Sequence, residues 1–220
     1  MRTTPNLIDS LVADAAPLRR LRPPMVRAAG WLLLAALILA LAASHHGLRP
    51  DLATKLAQPV FVTGVAAAML TAVLAAVAAF MASVPGRSRR WLLLPVPAFL
   101  AWFATVSYGC LTNWVQIGPA GISLGETASC FATLMIVSVP LSFALLIMLR
   151  YVARLSPAPV AMCGSLAVAA MTATALSILH PLDATAMILM WNFGVALLFV
   201  GVSGRYGDRL FNWVAPHLRQ

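Results

Sequence analysis

Residues 59–84 read PVFVTGVAAAMLTAVLAAVAAFMASV, an apolar run without one Asp, Glu, Lys, Arg or His. A helix of that length covers the roughly 30 Å hydrocarbon core of a bilayer, and within one isolated segment only a helix satisfies every backbone N–H and C=O there. The run is continuous rather than alternating, which excludes a strand of an outer-membrane barrel. Runs of the same kind occupy 26–44, 91–109, 128–149, 157–179 and 184–204. Composition agrees, since 61% of the 220 residues are hydrophobic and 10% charged, too apolar for a water-soluble domain. The first run starts too late, with too many spans behind it, to read as a cleaved signal peptide. The expected fold is therefore all-α, a polytopic six-helix transmembrane bundle.

Orientation follows from the cations, because Lys and Arg are retained in cytoplasmic loops. Arg2, Arg19, Arg20, Arg22 and Arg27 precede or open the first span, Arg87, Arg89 and Arg90 follow the second, Arg150 and Arg154 follow the fourth, and Arg205, Arg209 and Arg219 follow the sixth. The remaining loops hold only Arg49 and Lys55 of the 15 Lys and Arg. Both termini are thus expected in the cytoplasm. The chain divides into a cytoplasmic segment 1–25, a transmembrane domain 26–204 and a cytoplasmic tail 205–220, in the plasma membrane or, in a Gram-negative bacterium, the inner membrane. The same distribution gives the net charge of +9 a topological meaning, with anionic lipid as the partner of the arginines and no direct nucleic-acid contact.

Transporters and channels need ionisable residues at depth. Apart from Arg27, placed to snorkel, the predicted spans contain none, and a small transporter is disfavoured. Asn192 is the one strongly polar side chain well inside a span, suited to bonding a neighbouring helix. Gly64, Ala68 and Ala72 fall four apart on the second span and suit close helix packing.

The segment before the first span reads as a short amphipathic helix. Thr4 can cap it, Pro5 suits its first position and Pro17 stops it. On a helical wheel Leu7, Ile8, Leu11, Val12 and Ala15 share one face, with Asp9 and Asp14 at its edges. An interfacial helix favours cations on its polar face, whereas this one carries carboxylates, so a groove in a basic protein partner suits it better. About 12 residues are too few for a stable helix in water, and folding on binding is expected. Arg19, Arg20 and Arg22 would hold the tether against anionic headgroups.

Between the third and fourth spans, Cys110 and Cys130 bracket a loop with no Lys or Arg. An antiparallel hairpin brings them to similar depth on the outer side, where an oxidising compartment favours a disulfide. Closing such a loop contributes about 3 kcal/mol by chain-entropy reasoning. Capture of a soft metal ion is the rival reading, with His180 of the HPLD stretch (180–183) at the same level and His45 and His46 also facing outward. Asp183 can instead cap the last helix. Cys163, near the cytoplasmic end of the fifth span, reads as a small buried hydrophobe.

LIDSLVADAAPLRRLRPP (7–24), PGRSRRW (85–91), GC (109–110), ETASCF (126–131) and HPLDA (180–184) together resemble the NrsF family of membrane anti-sigma factors, and the likeness runs along essentially the whole chain. The resemblance implies a six-span inner-membrane negative regulator of transcription that holds an extracytoplasmic-function sigma factor inactive at the cytoplasmic face and responds to heavy-metal stress through a cysteine pair. The matching cysteines are Cys110 and Cys130, with His180 as a third sensor candidate; no resident cofactor is required beyond a transient heavy-metal ion. Sigma binding would fall on Asp9 and Asp14, and the wheel extends it to Leu7, Ile8, Leu11 and Val12. An enzyme is not expected: a membrane thiol oxidoreductase needs a vicinal pair such as CxxC, and Cys110 and Cys130 are far apart.

Overall fold

A computed structural model describes residues 22–84, 86–113, 124–149 and 157–179, together with the single positions 194, 201 and 205. The described residues form α1 (Pro24–His46), α2 (Leu52–Leu56), α3 (Pro59–Ala82), a 3-10 helix (Arg89–Leu93), α4 (Val96–Asn113), α5 (Leu124–Leu149) and α6 (Pro157–Leu179). Pro24, Pro59 and Pro157 each open a long helix, where the missing N–H is one the helix could not have used. Gly47 ends α1 at φ 76°, a left-handed conformation that favours glycine, and returns its N–H to the Ala43 carbonyl at 2.9 Å.

Among the described residues, five segments are long and apolar enough to cross a membrane: Pro24–His46, Pro59–Ala82, Arg89–Tyr108, Phe131–Leu149 and Pro159–Leu179. The chain is a membrane protein. The sixth expected span, 184–204, lies outside the described residues save for Gly194 and Gly201, both helical; the amphipathic segment at 4–17 and the tail beyond Arg205 also lie outside.

At several points the elements differ from the sequence reading. The third span opens as the 3-10 helix and only becomes α-helical at Val96, because Pro95 and Pro97 cannot donate to an α-helical ladder; the first new bond runs from the Phe99 N–H to the Pro95 carbonyl. α5 begins at Leu124 rather than 128, so ETASC is already helical. The first loop contains the short helix α2, which the apolar-run reading passes over.

Of the described helices α6 is the most deeply buried, and α3 lies along it as its main partner. Both helices bury alanines: Ala68, Ala72, Ala75, Ala76 and Ala79 on α3 and Ala167, Ala170, Ala173 and Ala175 on α6. In lipid no hydrophobic effect drives helices together, so small residues that let backbones approach supply the contact. Ala68 and Ala72 act as expected, and Gly64 above them leaves room for the Thr105 hydroxyl of α4, which would sit 3.2 Å from an added Cβ. α1 packs on α3, α5 and α6, and α5 on α6. α4 rests on α3.

Three of the buried hydroxyls are satisfied within their own helices: Thr71, Thr172 and Thr174 donate to the carbonyls of Ala67, Val168 and Ala170. The buried Trp31 donates from Nε1 to the Leu141 carbonyl at 3.1 Å, tying α1 to α5 beside Pro140, the proline inside that helix. Large apolar side chains point outward, Leu33, Leu37 and Leu41 on α1 and Phe143 on α5 among them. That arrangement suits lipid and would be costly in water.

Candidate functional site

The antiparallel helices gather unlike chemistry at the two ends of the bundle. At one end Arg22, Arg87, Arg89 and Arg90 are exposed, and Arg27 lies over the Phe80 ring at 5.3 Å. Ser88 caps the 3-10 helix there by accepting from the Arg90 N–H. Cys163 is buried near this end against Ala78 and Ala79, with Leu92 alongside, the small hydrophobe its sequence context indicates.

The opposite end holds the C-termini of α1, α4 and α6 and the N-termini of α3 and α5. Cys110 falls in the last turn of α4 and Cys130 in the second turn of α5; their backbones are helical and their side chains lie outside the described residues. They stand on helices with different principal partners, α4 on α3 and α5 on α6 and α1. His180 follows the last residue of α6 directly and lies outside the described residues, as do Leu7, Ile8, Asp9, Leu11, Val12 and Asp14. His45 and His46 are exposed in the last turn of α1, their rings 5.1 Å apart. Among the described residues no three His, Cys, Asp or Glu gather to hold a metal ion.

What the sequence reading missed at this end is Arg49. Its side chain is 2% exposed. Nε and Nη2 donate to the two carboxylate oxygens of Asp51 at 2.7 and 2.8 Å, a bidentate fork. Nη1 donates to the Ser177 carbonyl at 3.3 Å, and the Arg49 backbone N–H donates to the Ile178 carbonyl at 3.2 Å. The guanidinium also lies over the Phe61 ring at 5.5 Å. The last carbonyls of a helix have no acceptor role left inside it and carry its negative dipole end, so a cation is the partner they favour. One side chain thus joins the first loop, the start of α3 and the end of α6. The hydrogen bond from Arg49 holds the Asp51 carboxyl below the usual carboxylate range. Sequence offered a signal, a lone LRPD in a part of the chain otherwise nearly free of arginine.

Against this geometry, the family described as "Negative regulator of sigma F", NrsF, matches residues 11–213. The chain belongs to the NrsF family. The match covers every helix described above and extends past both ends of the described bundle. Comparison with curated proteins and with solved structures returned no match. As an NrsF protein it is a membrane-embedded negative regulator whose partner is a sigma factor, in a family of regulators rather than enzymes. The end of this NrsF chain that carries Arg87, Arg89 and Arg90 is separated from the end that carries Cys110 and Cys130 by the full length of the bundle.

Proposed function

We propose that this NrsF protein is an inner-membrane anti-sigma factor that sequesters an extracytoplasmic-function sigma factor at its cytoplasmic face and releases it when heavy metal or oxidant acts on Cys110 and Cys130. The observation that carries the reading is the family match over 11–213. The segregation of exposed arginines to one end supports placing that end in the cytoplasm. The N-terminal segment is tethered there, and its Asp9 and Asp14 flanking Leu7, Ile8, Leu11 and Val12 suit a basic, partly apolar groove on the sigma factor.

The donor set fits the signal. Two thiolates suit a soft ion, with the His180 imidazole as a third candidate donor, and two thiols can close to a disulfide, the electrons passing to an oxidant of the outer compartment. Either event draws the ends of α4 and α5 together. Because α4 rests on α3 and α5 on α6, that tie moves one side of the bundle relative to the other. Shifting a sigma factor from nearly all bound to nearly all free needs about 5.5 kcal/mol of differential binding, within reach of a thiolate–metal site.

The test is co-purification of the full-length protein with sigma factors of its own organism, comparing wild type with Asp9→Ala/Asp14→Ala. Wild type should retain a sigma factor and the double variant should lose it while remaining folded. Retention of none by wild type would sink the reading.

A further inference from the structure

Arg49 sits where the topology should have removed it. Cations are depleted from translocated loops, and a guanidinium buried near a bilayer is expensive unless it is fully engaged. The fork to Asp51, the Ser177 carbonyl and the Phe61 ring are such partners. Each belongs to a different element: Asp51 precedes α2, Phe61 is in the first turn of α3, and Ser177 is in the last turn of α6. The contacts end at Ile178, so the chain that Arg49 grips leads within two residues to His180.

α6 is suited to carry a displacement from that grip. It is buried along most of its span. Toward its other end Gly164 is packed so closely that an added Cβ would meet Leu145 Cδ2 at 2.6 Å, and Cys163 beside it touches Ala78 and Ala79. A helix packed on several sides moves as a unit, and coupling between distant sites travels through such elements when they have two arrangements.

We propose that Arg49 is a positioning residue of the sensor, a latch that holds the His180 end of α6 against the start of α3, and that the sigma-bound state is the latched state. The tie between Cys110 and Cys130 and the latch act at the same end of the bundle on the same two sides, α3 with α4 and α6 with α5. Pulling α5 toward α4 carries α6, which packs on α5, sideways across α3, and a shift of that kind breaks the directional hydrogen bonds that the second makes to the end of α6. The inference rests on the anti-sigma reading for its output, while the latch itself has a physical readout that needs no sigma factor.

The experiment uses the full-length protein in two arms. In the first, Leu179→Cys, at the buried end of α6, is introduced with the native cysteines replaced by Ser, and labelling by a maleimide is followed in detergent with Arg49 or Ala at 49. Arg49→Ala should speed labelling roughly 10-fold or more, a shift of about 1.4 kcal/mol in opening. Trp31→Phe, which removes a buried bond elsewhere, should leave the rate unchanged. Equal rates for Arg49 and Ala at 49, or equal acceleration by Trp31→Phe, overturn the latch.

In the second arm a sigma-dependent reporter is read in cells with and without Cd²⁺ or diamide. Arg49→Ala should raise the uninduced signal roughly 5-fold or more at wild-type membrane abundance, and should do so with Cys110→Ser/Cys130→Ser added, since the latch acts after the cysteines. Repression and induction like wild type overturn the role of the latch in signalling. If deleting the whole protein leaves the reporter silent, the anti-sigma reading has failed and the labelling arm alone decides the latch. Should Arg49→Ala fail to accumulate, Asp51→Asn breaks the fork and is judged by the same outcomes.

Discussion

The guanidinium of Arg49 and the carbonyl of Ser177, 128 residues apart in sequence, meet at 3.3 Å and join the first loop of the bundle to the end of its central helix. Removing the side chain leaves the part-buried Ser177 carbonyl without this donor, which costs about 1–3 kcal/mol. Arg49→Ala should lower the unfolding free energy in detergent by that amount, measured by titration with a denaturing surfactant. Arg49→Lys should fall between, because an ammonium keeps the charge and loses the planar fork.

The partner carboxylate makes the same contact pH-dependent. Hydrogen bonding from Arg49 lowers the Asp51 pKa in the folded state. A lowered folded pKa contributes stability above the unfolded value, and that stability disappears as pH falls through the folded one. The stability gap between wild type and Asp51→Asn should therefore stay level from neutrality down to about pH 4 and close below it. A gap that closed between pH 6 and 7 would assign it to another group.

Apolar runs are legible because hydropathy is additive along the chain, and the spans at 59–84 and 157–179 reappear as α3 and α6 with ends within two residues. The spacing of Gly64, Ala68 and Ala72 likewise marks a packing face that the fold uses. Arg49 escaped because its partners are the carbonyls of Ser177 and Ile178, and backbone acceptors leave no trace in side-chain patterns. Trp31 escaped for the same reason, its acceptor being the Leu141 carbonyl. The 3-10 opening before α4 was readable from Pro95 and Pro97 but was masked by the leucines at 92–94.

Gly164 faces Leu145 with no space for a methyl group. Gly164→Ala should destabilise by about 1–3 kcal/mol, toward the lower end because the obstructing Leu145 Cδ2 is the tip of a side chain that can turn. Leu145→Val in the same chain should recover part of the loss. The recovery, read as a double-mutant cycle in detergent unfolding, distinguishes a local clash from general weakening of α6.

Trp31 contributes one hydrogen bond in the bundle core, from Nε1 to the Leu141 carbonyl. Such bonds between membrane helices are worth about 0.6 kcal/mol on average. Trp31→Phe keeps the aromatic bulk and removes the donor, so it should cost about 0.5–1.5 kcal/mol in the same unfolding assay. A loss above 3 kcal/mol would mean that the indole supports the turn around Pro140 as well as α1.

Span number is decided at Arg205. Five described segments can cross a membrane, and an odd number of crossings would leave Arg22 and Arg205 on opposite sides; a sixth crossing through 184–204 returns them to the same side. With the native cysteines replaced, Arg22→Cys, Arg89→Cys and Arg205→Cys can each be exposed in intact spheroplasts to a membrane-impermeant maleimide. All three should be protected until the membrane is permeabilised, while a chain that retains only Cys110 or only Cys130 should react from outside. Labelling of Arg205→Cys from outside would leave five spans and place the tail with the cysteines. Labelling of Arg89→Cys from outside would invert the bundle, and with it the assignment of the arginine-rich end to the sigma factor.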